Sequence, residues 1–374
     1  MITNISLANF KCFRNVNLDF ADFNILAGVN GAGKSTILQS LLALRQSWES
    51  GNLNRSRVQL NGSLTELGTA REVYCAEPTS EFVELSLTST ILGRILSLRS
   101  KQSEDQSQNY FFQLDEQIEG NIHDLELFQE PFNYLHAERV GPRKTFPIPP
   151  DEGHPMRVGR FGENAPFIVA SERRQERVLN RFLHMESQDG RVLNTLQYQW
   201  PLWMARLFPG FEGETEIYSE ADQVRLGLAL QRKQTGQGLF VRPTNTGFGV
   251  SFVLGVVVAG LVAELNTILL VENPEAHLHP RAQSTIGEFL ARVAAGGTQV
   301  FVETHSEHVL NGMRRVVKQE ILTPTKVRMH FFANRKGSSE PAVSTIAVSP
   351  RGEISEWPEG FFDQLDNDLS VILS

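Results

Sequence analysis

Residues 28–36, Gly28-Val-Asn-Gly-Ala-Gly-Lys-Ser-Thr36, constrain the fold more than any other stretch of the chain. They fit the pattern G-x-x-x-x-G-K-S/T, in which glycines let successive backbone N–H groups curl around a phosphate. An apolar strand pattern (Phe23, Ile25, Leu26) precedes the loop, and residues 35–44 read as the helix whose positive end the anion meets. A chance match in a chain of this length arises on the order of once in 100. The expectation is ATP, bound with Mg²⁺. Gly28, Asn30, Gly31, Ala32, Gly33, Lys34, Ser35 and Thr36 are the candidate contacts. Lys34 is expected to reach the β- and γ-phosphates, and the Ser35 hydroxyl to hold the metal.

Two further stretches suit that chemistry. Ile268-Leu-Leu-Val-Glu272-Asn273-Pro-Glu275 is an apolar strand ending in acids, which is how P-loop proteins set a carboxylate beside Mg²⁺. The plainer reading is a buried strand with solvated acids at its mouth. Asn245-Thr-Gly247-Phe-Gly249-Val-Ser251 lies at a helix start and reads as a second anion nest or as an ordinary cap. His277, His279, His305 and His308 lack zinc-site spacing and have no cysteine near them. His305 ends the apolar run that begins near residue 299, a place from which a side chain can reach a γ-phosphate.

The rest of the chain sets the class. With 374 residues, one large domain with an insertion or two domains are expected. A net charge of −8 argues against coating nucleic acid through bulk charge. Two cysteines, Cys12 and Cys75, are too few for a disulfide framework and fit a reducing compartment. No signal-peptide pattern opens the chain, and the apolar run 250–263 is short for a bilayer span, so a cytoplasmic protein without a membrane partner is expected. Strand patterns fall at 1–27, 57–60, 72–75, 82–87, 110–114 and 132–140, with a polar loop at 100–108 and a Pro-rich linker at 145–153. Residues 163–208 look helical, hairpin-like pieces follow at 215–218 and 224–230, and Gly236–Gly238 closes that region. Helices and buried strands then alternate from 251 to 317. The fold class expected is α/β, a P-loop NTPase with a mixed or partly parallel sheet and an α-helical insertion. Its parts are placed at 1–150, 151–238 and 239–374.

In their order, the P-loop, the Gly/Ser segment, Glu272-x-Pro-Glu-x-His-Leu-His-Pro280 and Thr304-His-Ser306 resemble an ABC-type ATPase head of the RecF/SMC/OLD branch. The opening ISLANFKCF at 5–13 shares that resemblance, and YLHAERVGPR at 134–143 does so more weakly. Trp357-Pro-Glu-Gly-Phe-Phe-Asp363 is similar to the tail of stand-alone AAA-type members, several encoded in anti-phage or other mobile-element clusters. The resemblance implies that 28–36 is Walker A and that Glu272 is the Walker B acid. It implies that Ser251 with Gly249 is the signature capping a second protomer's ATP, with Gly247 a further candidate nucleotide contact, so that a homodimer sandwiches two nucleotides. Residues 277–280 become the D-loop and His305 the switch histidine.

The sequence departs from that pattern twice. Phe252 stands where a signature glutamine is expected, and Asn273 where the general base is expected. An amide orients water but accepts no proton at neutral pH, so slow hydrolysis is expected, helped by Glu275 or a partner. The catalytic set is Glu272, Asn273, Glu275 and His305, with Ser35 and Glu272 on Mg²⁺. The leading reading is an ATP-dependent switch that controls a separately encoded effector, a nuclease. A RecF/SMC-like ATPase that binds DNA directly is the second reading, and a transporter's nucleotide-binding subunit the third. Arg173, Arg177 and Arg181, spaced for one helix face, carry the nucleic-acid argument, although Glu172 and Glu176 suit a solvated face as well. Arg139, Arg143 and Lys144 form a basic cluster that reads as a solvated turn or as a phosphate or interface contact. Trp200, Trp203 and Phe208 suit a core.

Overall fold

The computed structural model describes residues 1–90, 95–102, 108–115, 122–150, 156–187, 189–229, 240–335, 337, 340–356, 358, 360 and 364–373. The chain divides into two compact units. One comprises Met1–Gln129, Thr325–Ser349 and Ile354–Ser374, the other Glu130–Pro324 and Pro350–Glu353.

The first unit opens on the alternation seen in the sequence. β1 (Ile2–Phe10) and β2 (Phe13–Asp19) pair antiparallel, burying Ile5, Leu7, Val16 and Leu18 on one face. β3 (Phe23–Gly28) is apolar and buried almost throughout, and it delivers the chain into the glycine loop ahead of α1 (Lys34–Glu49). Arg45 fixes the far side of α1: fully buried, it donates to Glu49 Oε1 at 2.7 Å and to the Leu127 carbonyl at 2.9 Å. β4 (Arg57–Gln59), α2 (Ala70–Val73), β5 (Phe82–Ser89), β6 (Ile95–Lys101) and β7 (Phe111–Gln113) follow. The strands order as β2-β1-β5-β6 in one sheet and β4-β7 in another. A strand was expected at 72–75, but a helical turn forms there. Thr69 and Glu72 make a capping box, the Thr69 N–H donating to Glu72 Oε2 at 2.6 Å.

The second unit contains β8 (Asn133–Leu135), β9 (Phe146–Pro147), α3 (Ala165–Ala170), α4 (Leu196–Leu207), β10 (Glu212–Tyr218) and β11 (Gln223–Ala229). It continues with α5 (Phe248–Leu261), β12 (Ile268–Glu272), α6 (Pro280–Ala295), β13 (Gln299–Thr304) and α7 (Glu307–Lys318). β12 lies between β8 and β13, parallel to both, and its register sets Glu272 opposite Glu303. β9, β10 and β11 form a small antiparallel sheet. The chain then returns to the first unit with β14 (Val327–Ala333), parallel to β3, β15 (Ala342–Ile346), antiparallel to β14, and α8 (Gln364–Ile372). Parallel and antiparallel strands flanked by helices give the mixed α/β class expected.

The stretch 163–208 is less helical than its pattern suggested. Beyond α3 and α4 its described residues hold only short 3₁₀ turns at Glu172–Gln175 and Arg181–Leu183. Arg177 instead bridges backbone to backbone with Thr195, and the Asp189-Gly190 turn, with Gly190 at φ 77°, reverses the chain between them. Trp200 and Trp203 are buried, as a core reading requires. Residues 236–238 and most of the 357–363 motif lie outside the described residues. Among the described residues no helix is long and apolar enough to cross a membrane.

A buried charge ties α4, α6 and α7 together. Glu288, 1% exposed, accepts ion pairs from Arg206 at 2.6 Å, Arg292 at 3.0 Å and Arg315 at 3.3 Å. Removing the shared carboxylate leaves cations without their partner, whereas Arg315 is half exposed and replaceable by water. Glu288→Ala should cost about 3 kcal/mol in chemical denaturation, and Arg315→Ala less than about 1 kcal/mol.

Candidate nucleotide site

The glycine loop is shaped by two backbone constraints. Gly28 sits at φ 139°, where a Cβ would lie 2.0 Å from the Phe332 carbonyl oxygen, so no side chain fits. Gly33, left-handed at φ 91°, turns the chain into α1, and Lys34 is the first helical residue. The Lys34 ammonium is buried and donates to the Gly28 and Val29 carbonyls at 3.0 and 2.8 Å. The N–H groups of Asn30, Gly31 and Gly33 meet no acceptor among the described residues. Three open donors, a helix N-terminus and a cation form a cradle that fits a polyphosphate. Ala32 and Thr36 are buried and Ser35 half-buried, while Asn30 and Gly31 stand exposed. Cys12 Sγ lies 3.8 Å from Thr36 Oγ1, and burial pushes its thiol above the ordinary value.

In the second unit, the end of β12 is held from three sides. Glu272, buried, accepts from the Tyr134 hydroxyl at 2.7 Å and from the Ala137 N–H at 3.2 Å. Burial and the neighbouring Glu272 charge push the Tyr134 hydroxyl far above its usual range, so it stays a donor. Arg139, 5% exposed, donates to the Glu272 carbonyl at 2.7 Å and to the Asn273 carbonyl at 2.5 Å. Burial lowers its pKa to about 10 against the pull of Glu275 and Glu272, which leaves it a cation at neutral pH. Asn273 adopts φ 43°, a left-handed conformation that asparagine tolerates better than most residues. Its N–H donates to the Glu303 carbonyl at 2.7 Å, and its buried Oδ1 has no hydrogen-bond partner among the described residues.

Glu275 is engaged differently. It accepts from the Thr304 hydroxyl at 2.8 Å and from the His305 N–H at 2.7 Å, so it clamps the end of β13 to the turn after β12. Burial raises its carboxyl above the ordinary 4.5, while those hydrogen bonds and Arg139 pull it back. His305 follows β13 and is exposed. Ser306 caps α7 by accepting from the His308 and Val309 N–H groups.

The Gly/Ser segment opens α5. Gly247 is the N-cap and is open to solvent, and a Cβ on Gly249 would sit 2.5 Å from the His277 carbonyl oxygen. Ser251 lies within the first turn, its Oγ buried and without a hydrogen-bond partner among the described residues. Phe248 beside it is 56% exposed.

The candidate residues therefore form two groups, the loop in one unit and Glu272, Asn273, Glu275, His305, Gly247, Gly249 and Ser251 in the other. Arg173, Arg177 and Arg181 do not share a helix face, which removes the basis of the basic-stripe expectation. Arg139 separates from Arg143 and Lys144, which are exposed. Among the described residues, no group of three or more His, Cys, Asp or Glu side chains is placed to hold a metal by itself. Tyr134 and the N–H of Ala137 were missed as partners of Glu272. Their only signal was the stretch 134–143, which has no motif chemistry of its own.

A glycine loop between β3 and α1 in one unit and a buried acid at the end of a parallel strand in the other are features of a P-loop ATPase of the ABC-like type. The chain belongs to the family described as "AAA domain, putative AbiEii toxin, Type IV TA system", whose profile matches residues 23–311. A second profile, for a protein family of unknown function (DUF3696), matches residues 322–372. The fold is that of an SMC head bound to the C-terminal winged-helix domain of ScpA, at TM-score 0.51 and 13% identity over 93% of this chain and 98% of that one. An SMC head from Thermotoga maritima aligns at TM-score 0.45 and 13% identity, covering 92% and 98% of the two chains. One from Pyrococcus furiosus, bound to the C-terminal domain of ScpA, aligns at 0.49 and 11%, covering 100% and 99%. No curated protein matches the chain.

The cradle yields a direct test. Saturating a site at about 100 times its Kd adds roughly 2.7 kcal/mol of stability, so the parent's melting temperature should rise with MgATP. Lys34→Ala should melt lower without ligand, having lost two charged hydrogen bonds, and should show no MgATP-dependent rise. An equal rise in both proteins would contradict the assignment.

Proposed function

We propose that this chain is a slow ATP-driven switch. Two copies close around two MgATP molecules and pass their open or closed state to a separately encoded effector, a nuclease of an anti-phage system. In this reading residues 1–150 and 239–374 form the ATPase head and 151–238 the insertion. Bound MgATP supplies the phosphoryl group and the charge that holds the two copies together. Lys34 leaves its two carbonyls for the β- and γ-phosphates, and Ser35 and Glu272 serve the metal. Tyr134 and Ala137 orient Glu272, and His305 addresses the γ-phosphate. Gly247, Gly249 and Ser251 meet the other copy's nucleotide, a role supported by the open Gly247, the Ser251 hydroxyl, which has no hydrogen-bond partner among the described residues, and the exposed Phe248 ring. The toxin–antitoxin description of the matched family supports control of, or by, a second protein.

Asn273 is the observation that carries the slow step. Its amide is aimed by a left-handed backbone, and its buried Oδ1 has no hydrogen-bond partner among the described residues, so it can orient a water that enters the site but takes no proton. Glu275 is a poor substitute, because both its oxygens already accept hydrogen bonds. Proton abstraction by a positioned base is worth roughly 10²–10⁴-fold in rate. The same position can be tested with an isosteric acid.

In single-turnover hydrolysis the parent should be slow, Asn273→Ala slower, and Asn273→Asp faster by about tenfold or more, since aspartate also tolerates the left-handed backbone. KM and kcat need separate measurement, because a carboxylate beside Glu272 also changes the charge offered to Mg²⁺. Fast parent turnover that survives Asn273→Ala and collapses in Glu275→Gln would move the proton acceptor to Glu275. In that case the acid limb of the rate profile should lie above 4.5, in the direction of the raised Glu275 pKa, and vanish in Glu275→Gln.

A further inference from the structure

The first turn of α5 and the end of β12 are joined by a chain of contacts that the ATPase assignment does not use. Phe252, on α5, lies with its ring centroid 5.7 Å from the Arg139 guanidinium carbon and 4.8 Å, edge to face, from the His277 ring. Phe248 packs on both Phe252, at 6.1 Å, and His277, at 5.5 Å. Arg139 in turn holds the Glu272 and Asn273 carbonyls with two of its nitrogens. The Asn273 carbonyl also accepts from the Ala276 N–H at 3.1 Å, within the turn that carries Glu275 and His277. The backbone approaches this chain of contacts closely at two places. Gly249 lies against the His277 carbonyl too closely for any side chain, and Gly141 presents a Cα whose added Cβ would sit 3.2 Å from Phe248.

We propose that Arg139, coupled to Phe252, is a positioning residue that transmits contact at the first turn of α5 to Asn273 and the turn after it. The proposal rests on the switch reading and extends it. The surface that meets a second copy and the residue that aims the attacking water become mechanically one element. A copy pressing on exposed Phe248 displaces Phe252, Phe252 displaces the guanidinium, and the guanidinium moves the two carbonyls it holds. A glutamine at 252 would present an amide where the aromatic face now stands, so this departure from the usual signature is what makes the link. Arg139 suits the role because its rigid planar fork spans two successive carbonyls, which a lysine ammonium cannot do in the same geometry.

Amide hydrogen exchange in the nucleotide-free protein tests the link without relying on turnover. Arg139→Lys should speed exchange at Asn273 and Ala276 about tenfold, because it loses a charged two-point hold. Phe252→Leu, which keeps an apolar side chain but removes the ring, should speed the same amides about threefold although it lies on another element. The double variant should exchange no faster than Arg139→Lys alone, since the two residues act in series. With MgATP, Phe252→Leu should keep the parent's KM and lose kcat. Unchanged exchange in Phe252→Leu, or effects that multiply in the double variant, would overturn the proposal. If the parent fails to bind MgATP, the switch reading falls, while the exchange data still decide whether the link exists.

Discussion

A buried carboxylate at the end of a parallel strand is costly unless every neighbour is arranged for it, and that cost organises the second unit. Glu272 is met by a hydroxyl from β8, a backbone N–H from the segment after β8, and the Arg139 cation behind its own carbonyl. These partners lie more than 130 residues upstream in sequence, so the segment 134–139 must pack on β12 before the acid can be buried. The parallel pairing of β8 with β12 achieves this, since it carries Tyr134 into register with Leu270. The left-handed turn at Asn273 follows from the same arrangement. Once the Glu272 and Asn273 carbonyls are drawn to one guanidinium, the chain has to reverse tightly, and asparagine accepts that backbone at little cost.

The first unit solves the opposite problem. Its loop must hold donors open for an anion, and it does so by storing the Lys34 cation on its own carbonyls. Gly28 has no room for a side chain against β14, and Gly33 directs the N-terminus of α1. The loop is thus shaped without a ligand, and under the proposed function nucleotide binding would exchange the internal hydrogen bonds of Lys34 for phosphate contacts. The Glu275 clamp has a related character. Its carboxyl is raised by burial, so the stabilisation from its neutral form is present below 4.5 and is lost as pH rises through the raised value. Hydrogen bonds from Thr304 and His305 partly offset that loss.

Sequence periodicity conveyed the fold well wherever local pattern and tertiary role agree. The buried strands β12 and β13, the apolar helix α5, the amphipathic helices α6 and α7 and the glycine loop were legible because each has an apolar run, a period or a motif with a mechanism behind it. The misreadings have physical causes. A Thr-x-x-Glu capping box outweighed an alternating pattern at 69–72, and an Asp-Gly turn broke what looked like one long helix after Ala170. Tyr134 and Arg139 were illegible as site residues because their role is purely tertiary. A tyrosine donor and an arginine spanning two carbonyls carry no spacing rule, and Arg139 read only as part of a basic cluster whose other members are exposed. The departures Phe252 and Asn273 were visible at once as exceptions to a pattern, but the contact that links them through Arg139 was not.

The central claim is that ATP closes two copies of this chain across the first turn of α5. A photo-crosslinking amino acid placed at Thr244, exposed just ahead of that turn, measures this most directly. The account predicts a chain-to-chain product that forms with MgATP, declines with MgADP, and is lost when Lys34 is replaced by alanine. Equal yields with MgATP, with MgADP and without nucleotide would contradict it.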